Sequence, residues 1–272
     1  MQQADQNEKR QEQAPLGADD TGQAASSDSK TDRRRRKAAA FLLLGDAVQF
    51  LLFGTLAVFV HIHPLLPLDV AITHSFQQNQ APWLRITMLV ISFPGSSFLL
   101  PALILLTVVI FWALGDRLEA AFVVGLLACS LLLNLLLKVL VHRARPSGGV
   151  VHIIVTSVGY SFPSGHVMAY IAYFGLLFAF GVLLFQGRHW WRTTLLVVSA
   201  AFVVLVGPSR VYLGDHWASD VIGAYLIGGV LWGLAVGLYV PLKQRTVLET
   251  RRSRARMREK RSLRTFPTKD WL

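Results

Sequence analysis

The chain has 272 residues, of which 53% are hydrophobic and only 16% are charged, a balance more apolar than that of an ordinary soluble domain. The formal net charge of +11 is concentrated at the two ends and in short connections, whereas a nucleic-acid-binding protein distributes Lys and Arg over its folded body. The composition therefore predicts an integral membrane protein, and it argues against both a soluble domain and a nucleic-acid-binding protein.

The N-terminal segment, residues 1–37, is predicted to be a cytoplasmic tail without stable structure. Residues 1–32 are rich in Gln, Asp, Ser and Ala and have no aromatic side chain, so they cannot bury enough apolar surface to offset chain entropy. Residues 33–37 form a basic run, which the positive-inside rule places in the cytoplasm. The first hydrophobic run begins only at Ala38 and is long enough to span a bilayer, which argues against a cleavable signal peptide.

Six apolar runs are candidates for transmembrane helices, because a span needs about 20 mainly apolar residues at a rise of about 1.5 Å each. Between the first two runs, three prolines and the polar residues 74–80 are expected to break any helix, and residues 83–93 are predicted to form a short interfacial helix. The predicted fold is therefore all-α, an integral membrane bundle of six transmembrane helices. The runs are residues 38–62, 96–114, 118–141, 164–185, 193–206 with their neighbours, and 217–240.

The predicted domain organisation is a six-span domain, residues 38–242, followed by a basic cytoplasmic tail, residues 243–272. An even number of spans places both termini in the cytoplasm. Three basic residues of the inner connections, Arg117, Arg188 and Arg192, agree with this orientation. The ends of spans three and five and the starts of spans four and six would then lie together at the extracytoplasmic surface.

Polar residues that a bilayer disfavours occur around the start of the sixth run. A charged side chain near the hydrocarbon layer costs roughly a few kcal/mol, so the cluster of Arg210, His216 and Asp220 indicates a functional site. If the helix begins at Trp217, then His216 and Asp220 lie on one helical face, where a carboxylate can accept the imidazole N–H and fix its tautomer. This spacing predicts an activated histidine.

Two further polar segments, at the end of span three and the start of span four, complete a set of groups suited to an oxyanion. They supply cations, a hydroxyl group, a backbone N–H that a ligand can approach closely, and a second histidine. Two arginines and a lysine suit a phosphate dianion, because the guanidinium fork matches phosphate oxygens and the ammonium adds a compact charge. The residues that join Arg210 in this set are Lys138, Arg145, Ser164, Gly165 and His166.

The three segments resemble the signature of the type 2 phosphatidic acid phosphatase superfamily. Every signature position is filled in order and at the expected spacing, and agreement of three separated motifs is far more specific than any one motif alone. The likeness covers roughly residues 38–242. The motifs are Lys138 followed after six residues by Arg145-Pro146, then Pro163-Ser164-Gly165-His166, then Ser209-Arg210 with His216 and Asp220.

This resemblance implies a phosphohistidine mechanism that uses no metal ion or other cofactor. His216, activated by Asp220, would attack phosphorus, and His166 would protonate the leaving group and then activate water. The sequence offers no acidic cluster of the type that holds magnesium. The residues that the resemblance assigns to phosphate binding are Lys138, Arg145, Ser164, Gly165 and Arg210.

A site at the membrane surface favours a lipid phosphate, whose tail stays in the bilayer while its head group reaches the histidine. Undecaprenyl pyrophosphate is expected first, and phosphatidic acid and phosphatidylglycerol phosphate are the other candidates. Three alternatives stay open. The phosphoryl group could pass to another lipid or sugar, a related pocket could hold vanadate as in vanadium-dependent haloperoxidases, or a non-enzymatic protein could bind anionic lipid through its basic tail. The oligomeric state is not indicated.

Other polar residues in or near the spans are predicted to be structural. Asp46, Gln49 and Asn134 are expected to form hydrogen bonds between helices, and Cys129 is expected to be buried. His142 and His152 are placed in the outer loop, outside the signature. Three further histidines are expected to be solvated loop residues, namely His61, His63 and His74.

Overall fold

The computed structural model describes residues 18–264 except 186 and 188, and it describes side chains for residues 33, 37–185, 187 and 189–248. The described chain is built from helices, and it divides into two units, residues 1–44 and 45–272. The site described below lies within the second unit. The helices are α1 (Ala18–Ile62), α2 (Pro67–Gln77), α3 (Pro82–Ser96), α4 (Leu99–Ala113), α5 (Arg117–Val141), α6 (Gly165–Tyr170), α7 (Leu176–Leu183), α8 (Trp190–Tyr212) and α9 (Ala218–Arg264).

Five helical segments of the described chain are long and apolar enough to cross a membrane. The pair α3 and α4, which bends by 58° at a short break, passes the same test of length and composition when its two helices are taken together, and it counts as the sixth span. Taken alone, α4 is only about 22 Å long at 1.5 Å per residue, less than the hydrocarbon thickness of about 30 Å. The prediction of an all-α bundle with six spans is therefore confirmed. The five segments are Lys37–Ile62, Arg117–Val141, Gly165–Leu183, Trp190–Tyr212 and Ala218–Leu248.

Two helices, α2 and α3, lie between the first span and α4, where the sequence predicts one short helix and a broken connection. The prediction that prolines and polar residues break any helix there is wrong for α2. Pro67 stands in the first turn, where no backbone N–H needs a helical partner, and Asp69 lies near the positive end of the helix. The buried residues of α2 are Asp69, Thr73 and Gln77, so its inward face is polar and gives no apolar periodicity.

The two predicted tails differ from the helical structure at their inner ends. Helix α1 begins at Ala18, inside the segment for which the sequence predicts no stable structure, whereas residues 1–17 lie outside the described residues. Helix α9 continues through the basic segment to Arg264, and residues 265–272 lie outside the described residues. The division into a six-span domain with two cytoplasmic tails stays a prediction.

The most buried span is Gly165–Leu183, in which a π-helical turn, Ile171–Gly175, joins α6 to α7. Of its apolar window, 61% is buried, against 17–39% for the other four single-helix spans. Phe162, just before this span, is fully buried, and its ring lies where a Cβ on Gly223 of α9 would be. The helices that carry the polar motifs therefore pack around the span that begins with Gly165.

Candidate active site

Four helix ends lie together at one end of the bundle, as the topology predicts. The backbone N–H of Ser164, at the start of α6, donates to the carbonyl of Asp220 in the first turn of α9. The segment between α5 and α6 is attached in the same way, because the N–H of Ser161 donates to the carbonyl of Arg143 at 2.8 Å. These bonds bring the three sequence motifs together.

His216 lies just before α9, between two carboxylates. It is 1% exposed, its Nδ1 lies 3.5 Å from Oδ2 of Asp220, and its Nε2 lies 3.3 Å from Oδ2 of Asp215. The predicted pairing with Asp220 is therefore present, at the long limit of a hydrogen bond. Such bonds in ligand-free sites are often long and shorten when the substrate binds. His216 is also one of the residues that line the cavity described below.

Asp220 is fully buried and is held by shorter contacts than His216. Its Oδ2 accepts the N–H of Trp217 at 2.9 Å and a short hydrogen bond from Ser161, and its Oδ1 pairs with Arg143 at 2.6 Å. Each bond stabilises the charged form of the carboxylate and fixes its direction. The carboxylate is therefore oriented toward His216 before any ligand binds.

Arg143 is the largest site residue that the sequence reasoning missed. It is 1% exposed, and its guanidinium pairs with Asp220 and with Asp69 of α2, both at 2.6 Å. The same guanidinium donates to Ser219 and to the carbonyl of Pro64. It lies between the motif residues Lys138 and Arg145, so its only signal in the sequence was a third basic residue in the same segment.

The two motif arginines meet at Asp215. Arg210 is fully buried and pairs with Oδ2 of Asp215, while Arg145, whose side chain is 15% exposed, lies 3.0 Å from Oδ1. Arg145 also donates to the carbonyl of Asp215 at 2.9 Å, and its Nη1 lies 3.4 Å from Nε2 of His216. The predicted phosphate-binding arginines and the predicted nucleophile therefore converge on a single point, which the Asp215 carboxylate occupies.

Two buried hydrogen-bond donors in this region have no partner among the described residues. They are Oγ of Ser164 and Nε of Arg210. Buried polar groups are nearly always hydrogen-bonded, so an orphaned donor beside a cationic cluster indicates a missing acceptor. Both residues belong to the set predicted to bind phosphate, and an oxyanion would supply the acceptor.

His166, the second predicted catalytic histidine, contacts the break between α3 and α4. Its Nε2 lies 2.9 Å from Oγ of Ser96, and a Cβ on Gly95 would lie 2.5 Å from its ring. Ser92, one turn earlier in α3, accepts a short hydrogen bond from Arg210. Neither serine carries a signal in the sequence, because both lie in a mainly apolar run outside the three motifs.

A cavity of about 450 Å³ is lined both by the polar groups of the site and by apolar residues of α4 and α5. Its polar end includes Lys138, whose Nζ donates to the carbonyl of Tyr160 at 2.8 Å, together with Arg145, Gly165, His166 and His216. Its other walls come from α4 and α5 and are mainly apolar. These walls include Leu100, Pro101, Ile104, Leu127, Ala128 and Leu131. The site can therefore receive a molecule with an anionic head and an apolar tail.

The charges of the loop between α8 and α9 are strongly coupled. Burial by itself would raise the pKa of Asp215, but His216, Arg210, a hydrogen bond from Ser157 and Arg145 together hold that pKa well below its usual range. Burial lowers the pKa of His216, although Asp220 and Asp215 act in the opposite direction. A neutral imidazole at neutral pH is the form that can act as a nucleophile.

The residues predicted to be structural have mixed outcomes. Asn134 donates to the carbonyl of Pro163 at 3.0 Å and so links α5 to the start of α6, as expected. Cys129 is exposed, so the prediction that it is buried is wrong. His61 and His74 bond to the carbonyls of Val141 and Val150, so they are not merely solvated. Across the described residues, no group of three or more His, Cys, Asp or Glu side chains is arranged to hold a metal ion.

Three comparisons with known proteins agree with this geometry. A family model described as the PAP2 superfamily matches residues 119–243. The chain is 33% identical over 200 residues to phosphatidylglycerophosphatase B of Bacillus subtilis (strain 168), covering 72% of this chain and 95% of that protein. The crystal structure of a transmembrane PAP2 type phosphatidylglycerolphosphate phosphatase from Bacillus subtilis matches with a TM-score of 0.62 and 30% identity, over 71% of this chain and 94% of that one. As the three motifs predicted, the chain belongs to the PAP2 superfamily.

Proposed function

We propose that this protein is an integral-membrane phosphatase that removes a phosphate group from a lipid, with phosphatidylglycerophosphate as the first candidate substrate. The observation that carries the proposal is the convergence of Arg145, Arg210 and His216 on one point, beside a cavity with apolar walls that Arg145 and His216 also line. An anion at that point would contact two guanidinium groups and the imidazole Nε2 together.

The first chemical step in this proposal is transfer of the phosphoryl group to His216. The Nε2 lone pair attacks phosphorus, the bond from phosphorus to the lipid oxygen breaks, and His166 gives a proton to that oxygen. Asp220 accepts the Nδ1–H of His216 and stabilises the positive charge that develops on the ring. Arg145, Arg210 and Lys138 would neutralise the phosphoryl oxygens, which otherwise repel the nucleophile.

The second step is hydrolysis of the phosphohistidine. A water molecule attacks phosphorus, His166 takes a proton from it, and the bond between phosphorus and Nε2 breaks to release orthophosphate. The orphaned Ser164 hydroxyl and the N-terminal end of the span that begins at Gly165 supply further donors to the phosphoryl oxygens in both steps. None of these residues requires a metal ion for its role, so we propose a metal-independent reaction.

The choice of substrate rests on the cavity and on the relatives. The apolar walls from α4 and α5 suit a lipid tail, which disfavours a soluble phosphate ester as the substrate. The two relatives are named for action on phosphatidylglycerophosphate, and this moves that lipid ahead of undecaprenyl pyrophosphate, which the sequence alone ranked first. Phosphatidic acid is the third member of the series.

The decisive experiment is phosphate release by the purified protein in detergent with a chelator present. Phosphatidylglycerophosphate, undecaprenyl pyrophosphate and phosphatidic acid are compared at equal concentrations. We expect release without added metal, fastest with phosphatidylglycerophosphate, and a rate lower by about 10³-fold or more in His216→Ala. His63→Ala, which removes an exposed histidine outside the site, is the matched control and keeps the rate.

Each alternative outcome has a clear reading. Loss of activity in chelator that magnesium restores would contradict the metal-independent mechanism. Full activity in His216→Ala would remove the proposed nucleophile. Recovery of the phosphate on an added lipid or sugar instead of water would identify a phosphotransferase, which the same phosphohistidine permits. No release from any lipid would favour the non-enzymatic alternative.

A further inference from the structure

The carboxylate of Asp215 lies where the proposed mechanism needs the phosphoryl group. Its Oδ1 is 3.0 Å from Nη1 of Arg145, and its Oδ2 pairs with Arg210 and lies 3.3 Å from Nε2 of His216. Asp215 is 2% exposed, so these are buried, packed contacts and not those of a surface side chain that changes rotamer freely. The three groups that Asp215 contacts are the two arginines and the nucleophile of the proposed reaction.

The backbone fixes Asp215 at this place. Helix α8 ends at Tyr212, and Gly214 adopts a φ of +71°, a left-handed conformation that glycine adopts without strain. The N–H of Asp215 then donates to the carbonyl of Arg210 at 3.1 Å, and its own carbonyl accepts from Arg145 at 2.9 Å. The main chain is therefore held on both sides, and the side chain is the part that can move.

A phosphoryl group and this carboxylate compete for the same donors. Both are anions. The carboxylate accepts a hydrogen bond from Arg210, whereas its Oδ1 lies 3.0 Å from Nη1 of Arg145 without a hydrogen bond among the described residues. A phosphoryl group would be drawn to the same guanidinium groups, and two anions at contact distance repel each other strongly in a buried site. The carboxylate near Nε2 also favours a proton on that nitrogen, which occupies the lone pair that must attack phosphorus. Binding of a phosphoryl group therefore requires Asp215 to withdraw.

We propose that Asp215 is an internal anion that occupies the phosphoryl site of the ligand-free protein and must be displaced by the substrate. The inference rests on the proposed function of the same site. Its consequence is selectivity between two phosphate-containing molecules. A lipid phosphate gains binding energy from the apolar walls of the cavity and can offset the displacement, whereas free orthophosphate cannot. Asp215 therefore weakens product inhibition by orthophosphate.

The test is oxyanion binding to the full-length protein in detergent, measured by titration calorimetry with orthophosphate and with orthovanadate. We expect Asp215→Asn to lower the dissociation constant of both anions by at least about tenfold, because the competing charge is gone. Asp116→Asn is the matched control, because it removes a carboxylate charge that contacts Lys243 at the opposite end of α5 from the site. Its dissociation constants should equal those of the unaltered protein.

The opposite result would overturn the proposal. If Asp215→Asn binds orthophosphate with equal or lower affinity, then Asp215 holds the arginines in place and does not compete with the ligand. Should that variant fail to fold, a structure of the unaltered protein with orthovanadate decides the question. In that structure Asp215 must have left Arg210, and a persisting Asp215–Arg210 pair beside bound vanadate would refute the inference.

The binding measurement also separates this inference from the proposed function. Tighter orthophosphate binding in Asp215→Asn with no hydrolysis of any lipid phosphate would contradict the proposed reaction and leave the internal anion standing. Metal-independent hydrolysis of a lipid phosphate, together with unchanged orthophosphate affinity in Asp215→Asn, would support the proposed reaction and contradict the role of Asp215 as an internal anion.

Discussion

At the level of single residues, Arg143 connects the candidate site to a helix outside the sequence motifs. One guanidinium serves two buried carboxylates, Asp220 behind the histidine and Asp69 of α2. A planar fork can donate to two acceptors in fixed directions, which a lysine ammonium on a flexible stem cannot do. Arg143 therefore determines where Asp220 stands and so how His216 is oriented.

We expect Arg143→Lys to impair both stability and activity. Loss of one partner from a buried charge network typically costs about 3–5 kcal/mol, and a lysine that keeps one of the two pairs would cost less than this. The predicted results are a lower midpoint of thermal unfolding and a fall in phosphate release of about 10-fold or more. Arg117→Lys, at an exposed arginine, is the control and should change neither quantity. An unchanged rate in Arg143→Lys would show that Asp220 needs no such support.

The residue scale also shows what the sequence could and could not predict about the site. The eight predicted residues were identified because their spacing forms three motifs, and the structure brings them to one end of the bundle. Asp69, Ser92 and Ser96 could not be found in this way, because they lie outside the three motifs. They reach the site only through the packing of α2 and α3. Asp215 lies within the third segment, but its contact with both arginines depends on the folded structure and could not be predicted from the sequence.

At the level of elements, the break between α3 and α4 positions the second histidine. The N–H of Gly95 donates to the hydroxyl of Tyr170, and that hydroxyl donates to the carbonyl of Ile91, so the end of α3 is bound to α6. A Cβ on Gly95 would lie 2.5 Å from the ring of His166 and 2.9 Å from the ring of Tyr170. Both contacts are closer than packed atoms allow, so either His166 or the helix must shift.

Gly95→Ala should therefore reduce phosphate release by about 10-fold or more, because small misplacements of catalytic groups are costly. The matched control is Gly54→Ala in α1, where a Cβ would meet nothing within 4 Å. That change should leave activity intact and can stabilise the helix by up to about 1 kcal/mol. Equal activity of the two variants would show that the α3–α4 break has no influence on His166.

A second charged cluster joins Tyr239 and Lys243 of α9 to α5, and it lies at the predicted start of the basic tail. Glu119 is fully buried, accepts from Tyr239 at 2.6 Å and pairs with Lys243 at 2.5 Å. Lys243 is the first residue of the predicted tail, so the tail boundary drawn from charge alone cuts through a structural contact.

Two truncations separate the structural contact from the tail. Removal of residues 249–272 keeps Lys243, and we expect lipid phosphate hydrolysis to stay close to that of the full chain. Removal of residues 243–272 leaves Glu119 buried without its cation and should lower the free energy of unfolding by about 2 kcal/mol, less than for a fully buried pair because Lys243 is partly exposed. If the shorter truncation abolished hydrolysis in detergent, the tail would be part of the functional site.

The elements that the sequence predicted well are those defined by apolar length. The spans ending near Ile62, Val141 and Tyr212 follow from runs that only a membrane or a large core can bury. Helix α2 was missed because it buries Asp69, Thr73 and Gln77, and no apolar periodicity marks such a helix. The missing information is tertiary, since Gln77 on that polar face donates to the carbonyls of His152, in the segment after α5, and of Tyr212, the last residue of α8.

At the level of the whole molecule, the distribution of charge along the chain predicts how the protein sits in the bilayer. Ser147 lies in the loop that follows α5, at the end of the bundle that holds the candidate site. Gln244 lies about 26 residues into α9, which places it roughly 39 Å along the helix from its start near the site, at 1.5 Å per residue. The arginines after residue 250 follow the last span, at the end of α9 that lies away from the site, and the basic residues 33–37 directly precede or begin the first span. From this charge distribution the positive-inside rule predicts a candidate site on the extracytoplasmic side.

This orientation can be measured by cysteine labelling in intact cells, after Cys129 is replaced by serine. Ser147→Cys should react with a membrane-impermeant maleimide added outside the cells, because its side chain is exposed at the site end. Gln244→Cys, also exposed, should react only after the cells are permeabilised. The reverse pattern would place the site in the cytoplasm, and a lipid phosphate in the inner leaflet would then be the substrate to test. Three spans separate Ser147 from Gln244, and an odd number of crossings puts the two residues on opposite sides of the membrane. Labelling of both positions from outside would therefore contradict this number of spans.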